Sequence, residues 1–253
     1  MLALTSVSRY FSEAKGLVVD NSLCANSRAI NQEELVPELA TPEDLEQVKR
    51  NPLLRARASL AYAMKYPDEL GPDALVSARL TMAYVQLAFR EYGKALAEAK
   101  FVLETTEPSD GDDLSHRLHK RRMATARMYA AEASCALGES VEAMKCLVGD
   151  GQDDAFDRLA SDLSGVTIET AASNGKGKRR LARAQSMVRS SASAATAVMG
   201  NLTAAKQLAM SAQAMEDAYA ANRERSSARR ALIYCLLRGG NHGAALSILR
   251  SLR

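Results

Sequence analysis

The amino-acid sequence predicts an all-α protein, and three observations carry that prediction. Strand signals are nearly absent: the one β-branched cluster of any length is Val166 to Ile168, and no alternating run reaches strand length. The composition is that of a helix former, with 47% hydrophobic residues but only 5% aromatics and no Trp, so Ala and Leu supply most of the apolar surface. Helix starts are marked at Thr41-Pro42-Glu43-Asp44 and Asn51-Pro52, where a capping side chain precedes a proline in the first helical turn. The 253 residues suffice for one large or two small domains with a buried core.

In chain order, residues 1–50 read as an N-terminal segment, expected to be partly disordered with a short helix over 42–50. Met1 to Phe11 lacks the apolar centre and cleavage pattern of a signal peptide. Asn51-Pro52 opens a helix over about 52–65, and Tyr66 to Pro72 then breaks the chain, because each proline disfavours helix in the residue before it. Ala74 to Leu103 reads as two helices separated by a turn at Arg90-Glu91-Tyr92-Gly93. Leu80, Ala83, Tyr84 and Leu87 share one face of the first helix, and Lys94-Ala95-Leu96-Ala97 opens the second.

This phrase recurs three times. Met128, Ala131 and Cys135 precede Leu137-Gly138-Glu139 and then Glu142-Ala143-Met144. Ser193 and Ala197 precede Gly200-Asn201-Leu202 and then Ala204-Ala205-Lys206. Ile233 and Leu237 precede Gly239-Gly240-Asn241 and then Ala244-Ala245-Leu246. Alanine holds the same place in every copy, at Ala95, Ala143, Ala205 and Ala245, where a small residue lets paired helices approach closely. A helix, a short turn and a second helix form the tetratricopeptide pattern of about 34 residues per unit. The alanines are 48, 62 and 40 residues apart, so the expected architecture for 51–253 is a tetratricopeptide-like helical-hairpin solenoid with long inter-repeat insertions. Two insertions are legible: the acidic stretch Glu107 to Asp113, and the polar stretch Thr170 to Lys178, expected as a flexible loop near 170–180.

Function classes fall away in turn. A net charge of +3 steers little, and no run of about 18 apolar residues occurs. Cys24, Cys135, Cys146 and Cys235 form no CxxC pair, which points to buried thiols in a reducing compartment. His116 and His119 stand three apart, but zinc needs three or four ligands and no other His or Cys lies close in sequence, so no metal is expected. His242 reads as a turn residue. Gly175-Lys176-Gly177-Lys178 lacks the spacing and preceding strand of a phosphate loop, and Asp110 to Asp113 lacks the calcium-loop spacing. No hydrolase, zinc-protease or kinase signature occurs, so neither catalytic residues nor a cofactor are expected.

Charge is unevenly placed. No acidic residue lies between Thr170 and Met215, whereas Lys176, Lys178, Arg179, Arg180, Arg183, Arg189 and Lys206 all do. Further clusters are Arg117, Lys120, Arg121, Arg122 and Arg223, Arg225, Arg229, Arg230. Solvated helix faces opposite acids such as Asp150, Asp153, Asp154 and Asp157 account for these more simply than RNA recognition, since stacking aromatics are missing nearby.

Met128-Tyr129-Ala130-Ala131-Glu132-Ala133, then Ala136-Leu137-Gly138, Glu142-Ala143-Met144 and Leu147, resemble a segment of the tetratricopeptide subunit ten family of the CCR-NOT (carbon catabolite repression and Not) mRNA deadenylase complex. Ala83 to Ala88, Glu91-Tyr92 and Ala95-Leu96 resemble the preceding repeat of that family. Ala197 to Leu202, Gly240-Asn241-His242 and Ala245 to Leu249 resemble its last repeats. The resemblance spans roughly residues 50–253 and includes the order of the insertions. It implies a non-catalytic scaffold that binds a companion subunit and the large Not scaffold, in the cytoplasm and also the nucleus, with deadenylation carried out by other subunits. It also implies a chain that forms the C-terminal part of a longer array.

Solenoids bind partners along the surface lined by their first helices. The expected partner-facing residues are Leu80, Tyr84 and Leu87 in the first copy, Met128, Glu132 and Cys135 in the second, and Arg230, Tyr234 and Leu237 in the fourth. The same positions also suit packing between repeats. The rival readings are a generic adaptor that reads a peptide, for which Arg79 and Arg127 are the candidate clamp cations, and weak RNA binding by Lys176 to Arg189.

Overall fold

Asn51 begins the described chain as a helix cap: its side-chain Oδ1 accepts from the Leu53 and Leu54 N–H groups at 3.0 and 3.4 Å, and Pro52 occupies the first turn, where no N–H is needed. A computed structural model describes residues 51–105, 113–149, 154–167, 171, 175–219 and 227–250, with the backbone alone at 216–219 and 227–230. Residues 1–50, including the expected 42–50 helix, lie outside them, as do 106–112, 168–170 and 172–174. The described residues are all-helical, with no strand. In chain order the helices are α1 (Pro52–Ala63), α2 (Pro67–Ala88), α3 (Tyr92–Thr105), α4 (Asp113–Ala136), α5 (Ser140–Val148), α6 (Ala155–Ser164), α7 (Gly175–Val198), α8 (Leu202–Tyr219), α9 (Ser227–Arg238) and α10 (His242–Arg250). The chain forms two compact units, one up to Glu98 and one from Ala99, the boundary falling within α3.

One corner geometry recurs four times. Arg90, Gly138, Gly200 and Gly240 each end a helix in the left-handed region, at φ of 61°, 85°, 90° and 73°. At each, the N–H of this residue donates to the carbonyl three residues back: Arg90 to Leu87, Gly138 to Cys135, Gly200 to Ala197 and Gly240 to Leu237, at 3.0 to 3.1 Å. The next N–H donates five residues back: Glu91 to Gln86, Glu139 to Ser134, Asn201 to Thr196 and Asn241 to Leu236, at 2.8 to 3.2 Å. This pair satisfies carbonyls that a helix end leaves without partners. That second residue then starts the following helix, its carbonyl accepting from Ala95, Ala143, Ala205 or Ala245. All four alanines are fully buried. Seven residues before the corner stand Ala83, Ala131, Ser193 and Ile233, each buried; the Ser193 hydroxyl donates across the hairpin to the Ala205 carbonyl at 2.7 Å. The hairpins α2–α3, α4–α5, α7–α8 and α9–α10 are thus built on one plan.

In the first unit, Leu53, Ala56 and Leu60 of α1 form a core with Ala78, Met82 and Val85 of α2. The stretch expected to break the chain holds one turn of helix at Pro67–Leu70, and the break falls at Gly71, at φ 70° and ψ 162°. Arg57 ties α1 to the first corner, pairing with Glu91 at 2.8 Å and lying over the Phe89 ring at 5.7 Å. The Lys94 ammonium and, after it, the Arg57 guanidinium hold the Glu91 carboxyl below its usual range against an opposing desolvation.

In the second unit, α7 is the central helix, packed against α4, α5, α6, α8 and α9. Its buried residues, among them Gly177, Ala184, Ser186, Ser190, Ala192, Ala195 and Ala197, are small on several faces, as close approach of many neighbours requires. One expectation needs correction here. Gly175 to Lys178, read as loop, form the first turn of α7, because Gly177 and Leu181 are buried and that packing outweighs the low helix propensity of glycine. Helix α6, where the sequence was read only for the acid Asp157, buries Leu159 and Ala160 against α4, α5 and α7, with Phe156 and Leu163 packed beside them.

Ala205→Leu should destabilise the chain by about 1–3 kcal/mol through overpacking, whereas Ala97→Leu, at an exposed site of α3, should be close to neutral. Arg90→Gly should stabilise by about 0.5–1 kcal/mol, because it removes the cost of a Cβ at positive φ. Urea denaturation of the three variants measures both effects.

Candidate partner-binding surface

The residues expected to face a partner divide between the two units. In the first, α2 buries Leu80 and Leu87 and leaves Tyr84 half-buried, packed against the α1–α2 core. In the second, Met128 lies within the core that joins α4 to α7, Cys135 is half-buried, and Glu132 is exposed. Tyr234 and Leu237 on α9 are exposed, and the Arg230 side chain lies outside the described residues. Of the described set only Glu132, Tyr234 and Leu237 are therefore exposed; Leu80, Leu87 and Met128 serve the interior.

The cations that a peptide carboxylate would need are engaged. Arg79 pairs with Glu98 at 2.7 Å. Arg127 donates from Nε to the Cys146 carbonyl at 2.8 Å and from Nη2 to the Leu147 carbonyl at 3.3 Å, satisfying the last turn of α5. A side chain at residue 149 would meet this guanidinium, since a Cβ on Gly149 falls 2.8 Å from Arg127 Nη2. An open depression at the second corner is lined by Lys100, Glu139, Ser140, Glu142 and Lys145, but Glu142 lies 3.9 Å from Lys100 and 3.5 Å from Lys145, so its charges balance locally.

The basic segments meet acids in part. Arg189 of α7 pairs with Asp157 of α6 at 3.0 Å, and Gln185 donates to the same carboxylate oxygen at 3.0 Å. Lys178, Arg179 and Arg183, in the first turns of α7, are exposed. On α4, Arg117 pairs with Asp113 one turn away at 2.7 Å, and Arg121 is exposed. Arg223 and Arg225 lie outside the described residues, and the side chains of Arg229 and Arg230 are likewise not described.

Asp162 of α6 faces the α4 cations. Burial pushes its carboxyl above the ordinary value, opposed by Lys120, Arg127 and His116. Burial also raises the Cys135 and Cys146 thiols, helped by Glu132 and Glu142 respectively, which keeps both protonated and poor nucleophiles. Cys135, Cys146 and Cys235 are free thiols, and Cys24 lies outside the described residues. Among the described residues no three His, Cys, Asp or Glu side chains group as a metal site would need, and no helix is long and apolar enough to cross a membrane. Leu246 and Leu249 of α10, both exposed, were not expected at the partner surface, and helix α6 was not singled out from the sequence. The spacing Phe156, Leu159, Ala160, Leu163 is the signal that marks α6.

An acid with a raised folded pKa favours the folded state most when protonated, so the contribution of Asp162 is present at low pH and is lost as the pH rises above 3.8. Asp162→Asn should therefore gain stability relative to the parent chain between pH 3.5 and pH 6.5, roughly the window above the ordinary carboxyl value. Urea midpoints of the two proteins at both pH values measure it. Comparisons of the chain with protein families, with curated proteins and with solved structures find no match in any of the three.

Proposed function

We propose that this chain is a non-catalytic scaffold of the CCR-NOT deadenylase complex, built as a tetratricopeptide-like solenoid with insertions. The recurrence of one corner, with its left-handed residue and buried alanine, in the same four places as the repeated phrase is the observation that carries the solenoid reading. The complex itself is read from the residue blocks around Met128 to Leu147, Ala83 to Leu96 and Gly240 to Leu249 and from their order along the chain. In this reading the partners are the large Not scaffold and a companion subunit, the chain acts in mRNA deadenylation, decay and translational repression, and it resides in the cytoplasm with a nuclear pool. Glu132, Tyr234 and Leu237 are the exposed members of the proposed partner surface. A peptide-reading adaptor is the less favoured form of the scaffold, because Arg79 and Arg127 are already engaged.

A second reading, weak RNA contact, is favoured by one observation: Lys178, Arg179 and Arg183 are exposed on a helix segment without an acid. Such binding would be to phosphates and would weaken steeply with salt.

Tagged chain purified from its own cells at moderate salt, after nuclease treatment, should bring down the large Not scaffold and the deadenylase subunits, identified by mass spectrometry. Folded chain that recovers neither overturns the complex assignment. Recovery that disappears on nuclease treatment, together with single-stranded RNA binding abolished by Lys178→Glu and Arg183→Glu, would instead establish the RNA reading.

A further inference from the structure

The first helices of the second and third hairpins, α4 and α7, hold one register against their corners. Counted back from Gly138 on α4 and from Gly200 on α7, the positions fourteen, twelve, ten, eight, seven and five residues away are buried on both helices. Both helices belong to the second unit, where they pack on α6 and on each other. Their outer faces therefore correspond residue by residue. On α4 the outer stripe passes through Thr125, Tyr129 and Glu132, and on α7 through Met187, Ser191 and Ala194, none of them buried.

Followed toward the start of each helix, this stripe becomes cationic. The positions twenty-four, twenty-one, twenty and seventeen residues before the corner are Leu114, Arg117, Leu118 and Arg121 on α4. On α7 they are Lys176, Arg179, Arg180 and Arg183. Offsets of three, four and seven residues set each group on one helical face, and all eight residues are exposed. Six of the eight are Lys or Arg, with Arg117 matched by Arg179 and Arg121 matched by Arg183, and α7 contains no acid along its length. The Arg117–Asp113 pair lies one turn apart with both side chains largely exposed, a solvent-screened contact that an incoming anion can replace.

We infer that these two rows bind the phosphate backbone of double-helical RNA. Residues four apart on a helix stand about 6 Å apart along its axis, so the cations form a fixed array on a packed scaffold. Such an array suits phosphates that a duplex holds at fixed spacing, where recognition runs through backbone charge and shape. Single-strand platforms depend in addition on bases stacked on aromatic rings; none of the eight positions is aromatic, and Tyr129, further along α4, is half-buried. An acidic protein segment would meet the same charge, but the centre of a protein–protein contact is depleted in charged residues. Here the apolar pair Leu114 and Leu118 has Lys176 and Arg180 as its counterparts, so no apolar centre continues from one row to the other. This assignment rests on the RNA-contact reading above, names the form of RNA, and adds α4 to the residues of α7.

Fluorescence anisotropy of the whole chain, with a labelled RNA duplex of about 20 base pairs and with either strand alone, tests it. The duplex should bind roughly tenfold more tightly than the single strand at equal salt, with an affinity that falls steeply as salt rises. Replacing Arg179 and Arg183 together by Gln should make the slope of log affinity against log salt shallower by about two, as should the same change at Arg117 and Arg121. Arg238→Gln, at an exposed site on α9, should leave the slope unchanged. Leu114→Lys with Leu118→Arg copies the α7 row onto α4 and should tighten duplex binding severalfold, a gain that misfolding does not produce; circular dichroism should show every variant folded. Equal affinity for duplex and single strand overturns the duplex assignment and leaves RNA contact standing, whereas saturable binding of neither overturns both. Duplex binding whose slope is unchanged in both arginine pairs, or that gains nothing from the leucine replacements, overturns the site. A poly-glutamate peptide that binds where the duplex does not, and is lost in the arginine variants, overturns the RNA and assigns the rows to an acidic protein segment.

Discussion

The close approach of two helices at a corner, with a single methyl group between their backbones, is the constraint on which the rest of this chain depends. Ala95, Ala143, Ala205 and Ala245 have no exposed surface, and each donates the first helical hydrogen bond of its helix to the residue that has just closed the preceding one. One residue thus ends a helix, reverses the chain and begins the next, with no loop to order. A larger side chain would separate the helices and forfeit the dispersion contacts along the hairpin. Arg90 occupies the left-handed position elsewhere held by glycine; its neighbour Glu91 is held by Arg57 and Lys94, and these contacts offset the backbone strain.

The same demand for short distances explains α7. A helix touched by five others cannot be amphipathic in the ordinary sense, and its buried residues are mostly Ala, Ser and Gly, with Leu181 and Val188 the larger exceptions. Serine costs little there when its hydroxyl reaches a carbonyl, as Ser190 does to Ser186 and Ser193 does to Ala205. The inserted helix α6 completes this packing with Leu159 and Ala160, and its Asp157 neutralises Arg189 on the central helix. The insertion between the second and third hairpins is therefore part of the core of its unit.

Exposure then separates residues that look alike in the sequence. Leu87 and Leu237 each stand three residues before the left-handed residue of a corner, yet Leu87 is buried and Leu237 is open. The difference lies in the tertiary neighbours of each hairpin and not in its local sequence. The cations divide similarly: Arg79, Arg127 and Arg189 are structural, spent on Glu98, on the end of α5 and on Asp157, while Lys178, Arg179 and Arg183 face water.

By itself, the sequence determined the local geometry of this protein: the all-helical class, the cap at Asn51-Pro52, and the four corners with their alanines. These features were legible because each depends on residues within a few positions of one another, through hydrogen bonds and steric limits that act along the chain. Only the tertiary structure decided that Gly175 to Lys178 would be helix, that α6 would fold into the core of its unit, and which of the repeated apolar positions would be covered. Those outcomes depend on burial against helices distant in sequence, which overrides the low helix propensity of glycine. The candidate surface was accordingly the least legible part, because exposure at Glu132, Tyr234 and Leu237 is set by the packing of neighbouring helices and not by the residues themselves.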